Sequence, residues 1–184
     1  MDSLGGRMNL PNAITISRIV MVPVFLVLAY GDSKAAAVGA FVLFLVASLS
    51  DSLDGYLARK RGQISRLGQF LDPLADKLLV GAALVVLVDT RDFPLWAALL
   101  IALREVAVQI LRTTIVSGGG NLPASPVAKA KTVVQISMVC WWLLPWSDQN
   151  VVHWLYLVGA LVTTFWSGIE YFIYAERKPD DVAE

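Results

Sequence analysis

Long apolar runs alternate with short polar segments along nearly the whole chain. Six such runs lie near residues 13–31, 35–57, 68–88, 93–116, 127–146 and 151–175. Each is about the 17–25 residues that an α-helix needs to cross a bilayer. The breaks between them are brief: Gly31 to Lys34, Arg59 to Arg66, Asp89 to Asp92, Gly118 to Pro126 and Ser147 to Asn150. The pattern predicts an all-α integral membrane protein with six transmembrane helices. Neither a proline-rich linker nor a long repeat interrupts it, so residues 1–184 read as one domain, with 1–12 as an N-terminal segment. Pro11 and Asn12 suit the start of the first helix, and Pro23 bends it. That helix differs from a signal peptide, because Arg18 lies inside it and no small-x-small cleavage site follows.

Composition strengthens the membrane reading. The chain is 57% hydrophobic with mean hydropathy +0.63, more than a soluble core of this length could hide. Its net charge is zero, so nothing points to nucleic acid as a partner. The single cysteine, Cys140, sits among apolar residues and is read as packing. With the N-terminus inside, Arg7, Arg18, the 59–66 loop, Arg112, Lys129, Lys131, Arg177 and Lys178 all fall on the cytoplasmic side, against Lys34 and Arg91 opposite. This asymmetry predicts both termini in the cytoplasm of a multi-pass cell-membrane protein. Trp96, Trp146 and Trp154 near outer helix ends, and Tyr171 and Tyr174 near an inner one, read as an interfacial belt.

One stretch resists the apolar pattern. Asp51 and Asp54 are three apart, Asp72 and Asp76 four apart, and on helices each pair would share a face. Gly55, Ala58 and Gly68 accompany them, and the loop between carries Arg59, Lys60, Arg61 and Arg66. Crowded carboxylates repel unless a cation joins them, and hard oxygen donors suit one or two divalent ions such as Mg²⁺, with Mn²⁺ as a substitute. Magnesium commonly also takes substrate phosphates as ligands. The small residues would let a bulky ligand approach the backbone, and Arg59 would offer a forked donor to phosphate. The plain alternative, a solvated loop with charged ends, fits less well beside membrane-length runs, where aspartates are costly.

The order Asp51-x2-Asp54-Gly55-x2-Ala58-Arg59-x8-Gly68-x3-Asp72-x3-Asp76 resembles, at every position, the signature of the CDP-alcohol phosphotransferases. FLDPLADK, LREVAVQILRT, AKAKT and the opening from Asn9 to Arg18 are similar to stretches of that family's bacterial phosphatidylglycerophosphate synthases. The likeness runs from Asn9 to about Gln135 and weakens beyond; Ala128 and Ala130 around the lysines depart from it, since a glycine before the first lysine is expected in many relatives. The resemblance implies a membrane enzyme that moves the phosphatidyl group of CDP-diacylglycerol to an alcohol and releases CMP. It implies that Asp51, Asp54, Asp72 and Asp76 ligate two metal ions, that Asp76 is also the general base, and that the site faces the cytoplasm. By the same likeness Gly55, Ala58, Arg59, Gly68 and Thr15 would hold the CDP-lipid, and the enzyme would be a homodimer.

The remaining charges concern the acceptor. Arg104 and Glu105 adjoin near the middle of the fourth run, where charge is costly. They are either a mutually satisfied pair, or Arg104 faces a water-filled cavity and binds an anion. Arg112 lies two turns on along much the same face, and Lys129 and Lys131 open the fifth run. Together with Arg18 they are read as a basic cradle for a phosphate-bearing acceptor, glycerol 3-phosphate first. Phosphatidylglycerol, as in a cardiolipin synthase, or an inositol phosphate would also fit. Singly, Lys129 and Lys131 fit ordinary positive-inside residues, and Arg18 a snorkelling side chain. Lys77 is read as structural, His153 as remote from any metal, and Glu170 as a surface charge. From another class, a cation transporter would put its ionisable groups near the midplane on broken or repeated helices, and no inverted repeat is visible.

Overall fold

In a computed structural model the backbone is described over residues 10–61, 66–117, 125–145 and 150–177. Within these, side-chain surroundings are described for residues 17–50, 75, 77–117, 125–145 and 150–175. Six α-helices form, α1 (Leu10–Ala29), α2 (Lys34–Arg61), α3 (Arg66–Thr90), α4 (Leu95–Ser117), α5 (Pro126–Leu143) and α6 (Val151–Arg177), with no strand among the described residues. The helix order follows the apolar runs. α2 overshoots its run, because the helix continues through the polar Asp51–Arg61 stretch, where hydropathy falls but nothing breaks the backbone. Among the described residues α6 is the one helix that is by itself long and apolar enough to cross a membrane, over Val151–Ala175. Ser17–Ala29 and Lys34–Ser50 are shorter apolar segments.

Local chemistry sets the helix ends. Between α1 and α2, Tyr30 and Gly31 N–H groups donate to the carbonyls of Leu26 and Leu28, and Ser33 Oγ then accepts from Ala36 N–H at 3.0 Å. Ser33 is thus a side-chain N-cap. Gly31 is required here: a Cβ would stand 2.7 Å from the Cβ of Ala36, closer than carbon atoms approach. α3 ends where Asp92 takes a left-handed conformation, φ 51°, while Phe93 N–H donates to Leu87 O. Ser125 caps α5 ahead of Pro126, accepting from Ala128 N–H at 3.1 Å. Asn150 caps α6 through Oδ1, which accepts from Val152 N–H at 3.0 Å.

The chain divides into two compact units. The first holds α1, α2 and α3 as far as Val86, with Leu143–Pro145. Its core is built from small and aromatic residues. Phe25 and Phe44 meet at 6.0 Å between ring centroids, and Ala40, Phe44, Ala47 and Ser48 are buried along α2. That spacing is one helical stripe, and its alanines let backbones come close. On α3 the buried stripe is Ala75, Leu79, Ala83 and Val86.

The second unit holds the end of α3 from Leu87, then α4, α5 to Trp142, and α6. At one end Trp142 packs edge-on against Phe93, 4.8 Å apart, and against His153, 5.0 Å apart. His153 is buried and bonded to Asn150 Oδ1, so it serves the α6 cap and the aromatic cluster. Towards the other end Val108 and Tyr171 are buried against Leu111, Ile115 and Ala128. Tyr171 therefore belongs to the interior of this unit, and only Tyr174 keeps the exposure expected of an interfacial residue. The physical reason is register: Tyr171 lies one turn on from the fully buried Ser167, on the inward side of α6.

Candidate active site

The aspartates stand on two helices, α2 and α3. α2 is continuous from Ala47 through Asp51 and Asp54 to Arg61. Asp72 and Asp76 precede the buried Leu79 and Ala83 by seven residues each, two helical turns along α3. The side chains of Asp51, Asp54, Asp72 and Asp76 lie outside those described, as do those of Thr15, Gly55, Ala58, Arg59 and Gly68. Among the described residues no group of three His, Cys, Asp or Glu gathers that could hold a metal. Arg18, also in the first unit, is buried to 2% exposure, which removes the reading of an arginine reaching out to a solvated surface.

The second unit carries a polar seam across α4, α5 and α6. The inward stripe of α4 is Ala97, Ala98, Ile101, Glu105 and Val108, so Glu105 occupies a position where the 3.6-residue period calls for an apolar side chain. Its Oε1 pairs with Arg104 Nη1 at 3.1 Å and with Lys131 Nζ from α5. Arg104 Nη2 donates to Ser167 Oγ of α6 at 2.6 Å. Ser167 is fully buried, and its hydroxyl also lies 2.7 Å from Thr163 O. Three helices are thus tied by one carboxylate, two cations and one hydroxyl. Such charge-assisted bonds are short and about twice as strong as neutral ones, and desolvation offsets much of that gain.

This arrangement divides the four members of the basic cradle that lie in the second unit. Arg104 and Lys131 come together on Glu105, whereas Arg112 and Lys129 are exposed. Helical geometry explains the division. Eight residues turn a helix about 80° past two full turns, so Arg112 leaves the face of Arg104, and the inward positions are Leu111 and Ile115. Lys129 and Lys131 are two apart, about 200° around α5. The Arg104–Glu105 pair foreseen from adjacency is present, with Lys131 as a third member. Glu170 is not a plain surface charge: it is half-buried and accepts from Ser125 Oγ at 2.6 Å, tying the α5 cap to α6. Ser167 and Ser125 went unmarked in the sequence because a serine in an apolar run carries no periodic signal.

A family model described as CDP-alcohol phosphatidyltransferase matches residues 8–166. The chain is 39% identical over 173 residues to a probable phosphatidylglycerophosphate synthase of Mycobacterium tuberculosis, covering 92% of this chain and 82% of that one. It is 39% identical over 180 residues to the CDP-diacylglycerol–glycerol-3-phosphate 3-phosphatidyltransferase of Bacillus subtilis, covering 89% and 93%. Its fold is similar to the crystal structure of Mycobacterium tuberculosis phosphatidylinositol phosphate synthase in complex with manganese and citrate, with TM-score 0.66, 16% identity and coverage of 95% and 86%. A family match over most of the chain, relatives of nearly the same length and the aspartate signature agree: the chain belongs to the CDP-alcohol phosphatidyltransferase family, and it is a phosphatidyltransferase of phospholipid biosynthesis.

Proposed function

We propose that this enzyme transfers the phosphatidyl group of CDP-diacylglycerol to sn-glycerol 3-phosphate, giving phosphatidylglycerophosphate and CMP. The observation that carries the reading is the pair of relatives at 39% identity, both named for this reaction or its product, over at least 89% of the chain. The chain works as one multi-pass domain in the cell membrane, with both termini and the aspartates at the cytoplasmic surface, and as a homodimer. The CDP-lipid keeps its acyl chains in the bilayer, and Thr15, Gly55, Ala58, Arg59 and Gly68 receive its head.

Asp51, Asp54, Asp72 and Asp76 supply an all-oxygen donor set, which fits two Mg²⁺ ions or Mn²⁺ in their place. When bound, such ions neutralise the diphosphate and stabilise charge on the attacking and leaving oxygens. Asp76 takes the proton of the acceptor hydroxyl as its oxygen bonds to phosphorus, while the phosphorus–oxygen bond to CMP breaks. Arg104 and Lys131, with Arg112 and Lys129 nearer solvent, attract the acceptor's phosphate. The excess of one positive charge over Glu105 in the buried trio suits an anionic acceptor.

The test is CMP release from CDP-diacylglycerol by purified protein in detergent, with Mg²⁺ or with EDTA. The acceptors are glycerol 3-phosphate, phosphatidylglycerol, inositol 3-phosphate and serine. Metal-dependent release with glycerol 3-phosphate is expected. Release only with another acceptor would overturn the substrate and keep the aspartate chemistry.

A further inference from the structure

We infer that Glu105 and Ser167 are positioning residues, which fasten Arg104 and Lys131 so that the Arg104 guanidinium receives the phosphomonoester of the acceptor. The inference rests on the proposed reading of Arg104 and Lys131 as the acceptor's phosphate site.

The argument begins with what each bond fixes. An arginine side chain is long and rotamer-rich, and holding it still costs conformational entropy. Here two helices hold it. Glu105 Oε1 takes Nη1 at 3.1 Å from within α4, and Ser167 Oγ takes Nη2 at 2.6 Å from α6. Ser167 has one proton to give, and Thr163 O, 2.7 Å away, takes it. The serine oxygen is thereby left as an acceptor aimed at Arg104. Two of the three guanidinium nitrogens are committed in this way. The third, Nε, is buried and has no hydrogen-bond partner among the described residues. A buried cationic donor left without an acceptor is costly, and burial makes an arriving anion the natural remedy.

Gly168 packs beside the Nε edge without placing a side chain over it. A Cβ there would lie 3.6 Å from Nε and 3.7 Å from Cγ of Arg104, in ordinary contact and covering the donor. Glu105 has a second task. Lys131 and Arg104 would repel if buried side by side, and the carboxylate shared by both keeps them together while leaving one positive charge in excess. α6 thus has a role in acceptor binding through a serine and a glycine, neither of which is ionisable.

The experiment measures CMP release at varied glycerol 3-phosphate and, separately, at varied CDP-diacylglycerol. Ser167→Ala removes one hydrogen bond to a charged group and is expected to raise the KM for glycerol 3-phosphate about ten-fold. The KM for the CDP-lipid should stay within about two-fold, since only the acceptor's anchor is loosened. Glu105→Gln should raise the acceptor KM further, and Glu105→Asp, which retains the charge, should fall between the two. If Glu105→Gln fails to fold, Ser167→Ala alone decides. Equal effects on both KM values, or an unchanged acceptor KM in Ser167→Ala, would overturn the inference. Arg104→Met separates it from its foundation. If that variant raises the acceptor KM while Ser167→Ala does not, the positioning role falls and the phosphate site stands. If Arg104→Met leaves the acceptor KM unchanged, the phosphate site falls first.

Discussion

Single residues carry the sharpest consequences where charge is buried. Lys131 is 6% exposed and Glu105 7%, and each depends on the other for compensation. Lys131→Met should therefore destabilise the protein by about 3–5 kcal/mol, the usual cost of leaving one buried partner behind, reduced by whatever Arg104 still neutralises. The double variant Lys131→Met, Glu105→Leu should recover much of that loss, because two apolar side chains remove both desolvation costs. Thermal unfolding in one detergent would compare them, and a double variant less stable than the single one would contradict the account. In the proposed chemistry Asp76→Asn should abolish CMP release while CDP-lipid binding persists. Residual turnover with lost binding would contradict its role as base. Arg112→Ala and Lys131→Ala should both raise the KM for a phosphate-bearing acceptor more than that for the CDP-lipid. The exposed Arg112 should have the smaller effect, because water screens it.

Elements depend on their ends and on the stripes between them. The α1–α2 turn is closed by Gly31 and Ser33. Gly31→Val would drive methyl groups into Ala36, and overpacking of this kind costs about 1–3 kcal/mol. Ser33→Ala removes only the cap, at about 1 kcal/mol. Ser125→Ala should cost more than Ser33→Ala, since Ser125 both caps α5 and donates to Glu170 of α6. The order of melting temperatures, Ser33→Ala above Ser125→Ala, checks this comparison; the reverse order would mean that the Glu170 bond contributes nothing. α2 shows why hydropathy alone misjudges an element. The helix runs past its apolar portion to Arg61 because no proline interrupts the stretch and Leu, Ala, Arg and Lys at its end favour helix, offsetting Asp and Gly55.

At the scale of the whole molecule, α6 displays a nearly unbroken outer face of Leu155, Val158, Val162, Phe165, Trp166, Ile169 and Phe172, all exposed. A water-soluble monomer rarely shows so large an apolar surface, and hydrocarbon chains would cover it without cost. The expected topology can be read with single cysteines on a Cys140→Ser background. Asp32→Cys should react with an impermeant maleimide from outside intact cells, and Lys178→Cys only after the cells are opened. The opposite pattern would reverse the orientation derived from the positive charges.

The sequence by itself determined the helix count, the family and the aspartate signature. These depend on local periodicity and on fixed spacing within a few turns, which no distant contact changes. It also marked Arg104 and Lys131, since charges inside apolar runs are conspicuous. Only the tertiary structure decided that these two meet on Glu105 while Arg112 and Lys129 turn outward, that Ser167 completes the trio, that Glu170 receives Ser125, and that Tyr171 packs inside. The physical reason is angular. Spacing along one helix gives the relative direction of its side chains to within some tens of degrees, but which direction is inward depends on where the neighbouring helices lie. A rotation of about 80° is enough to move a cation from a buried seam to solvent.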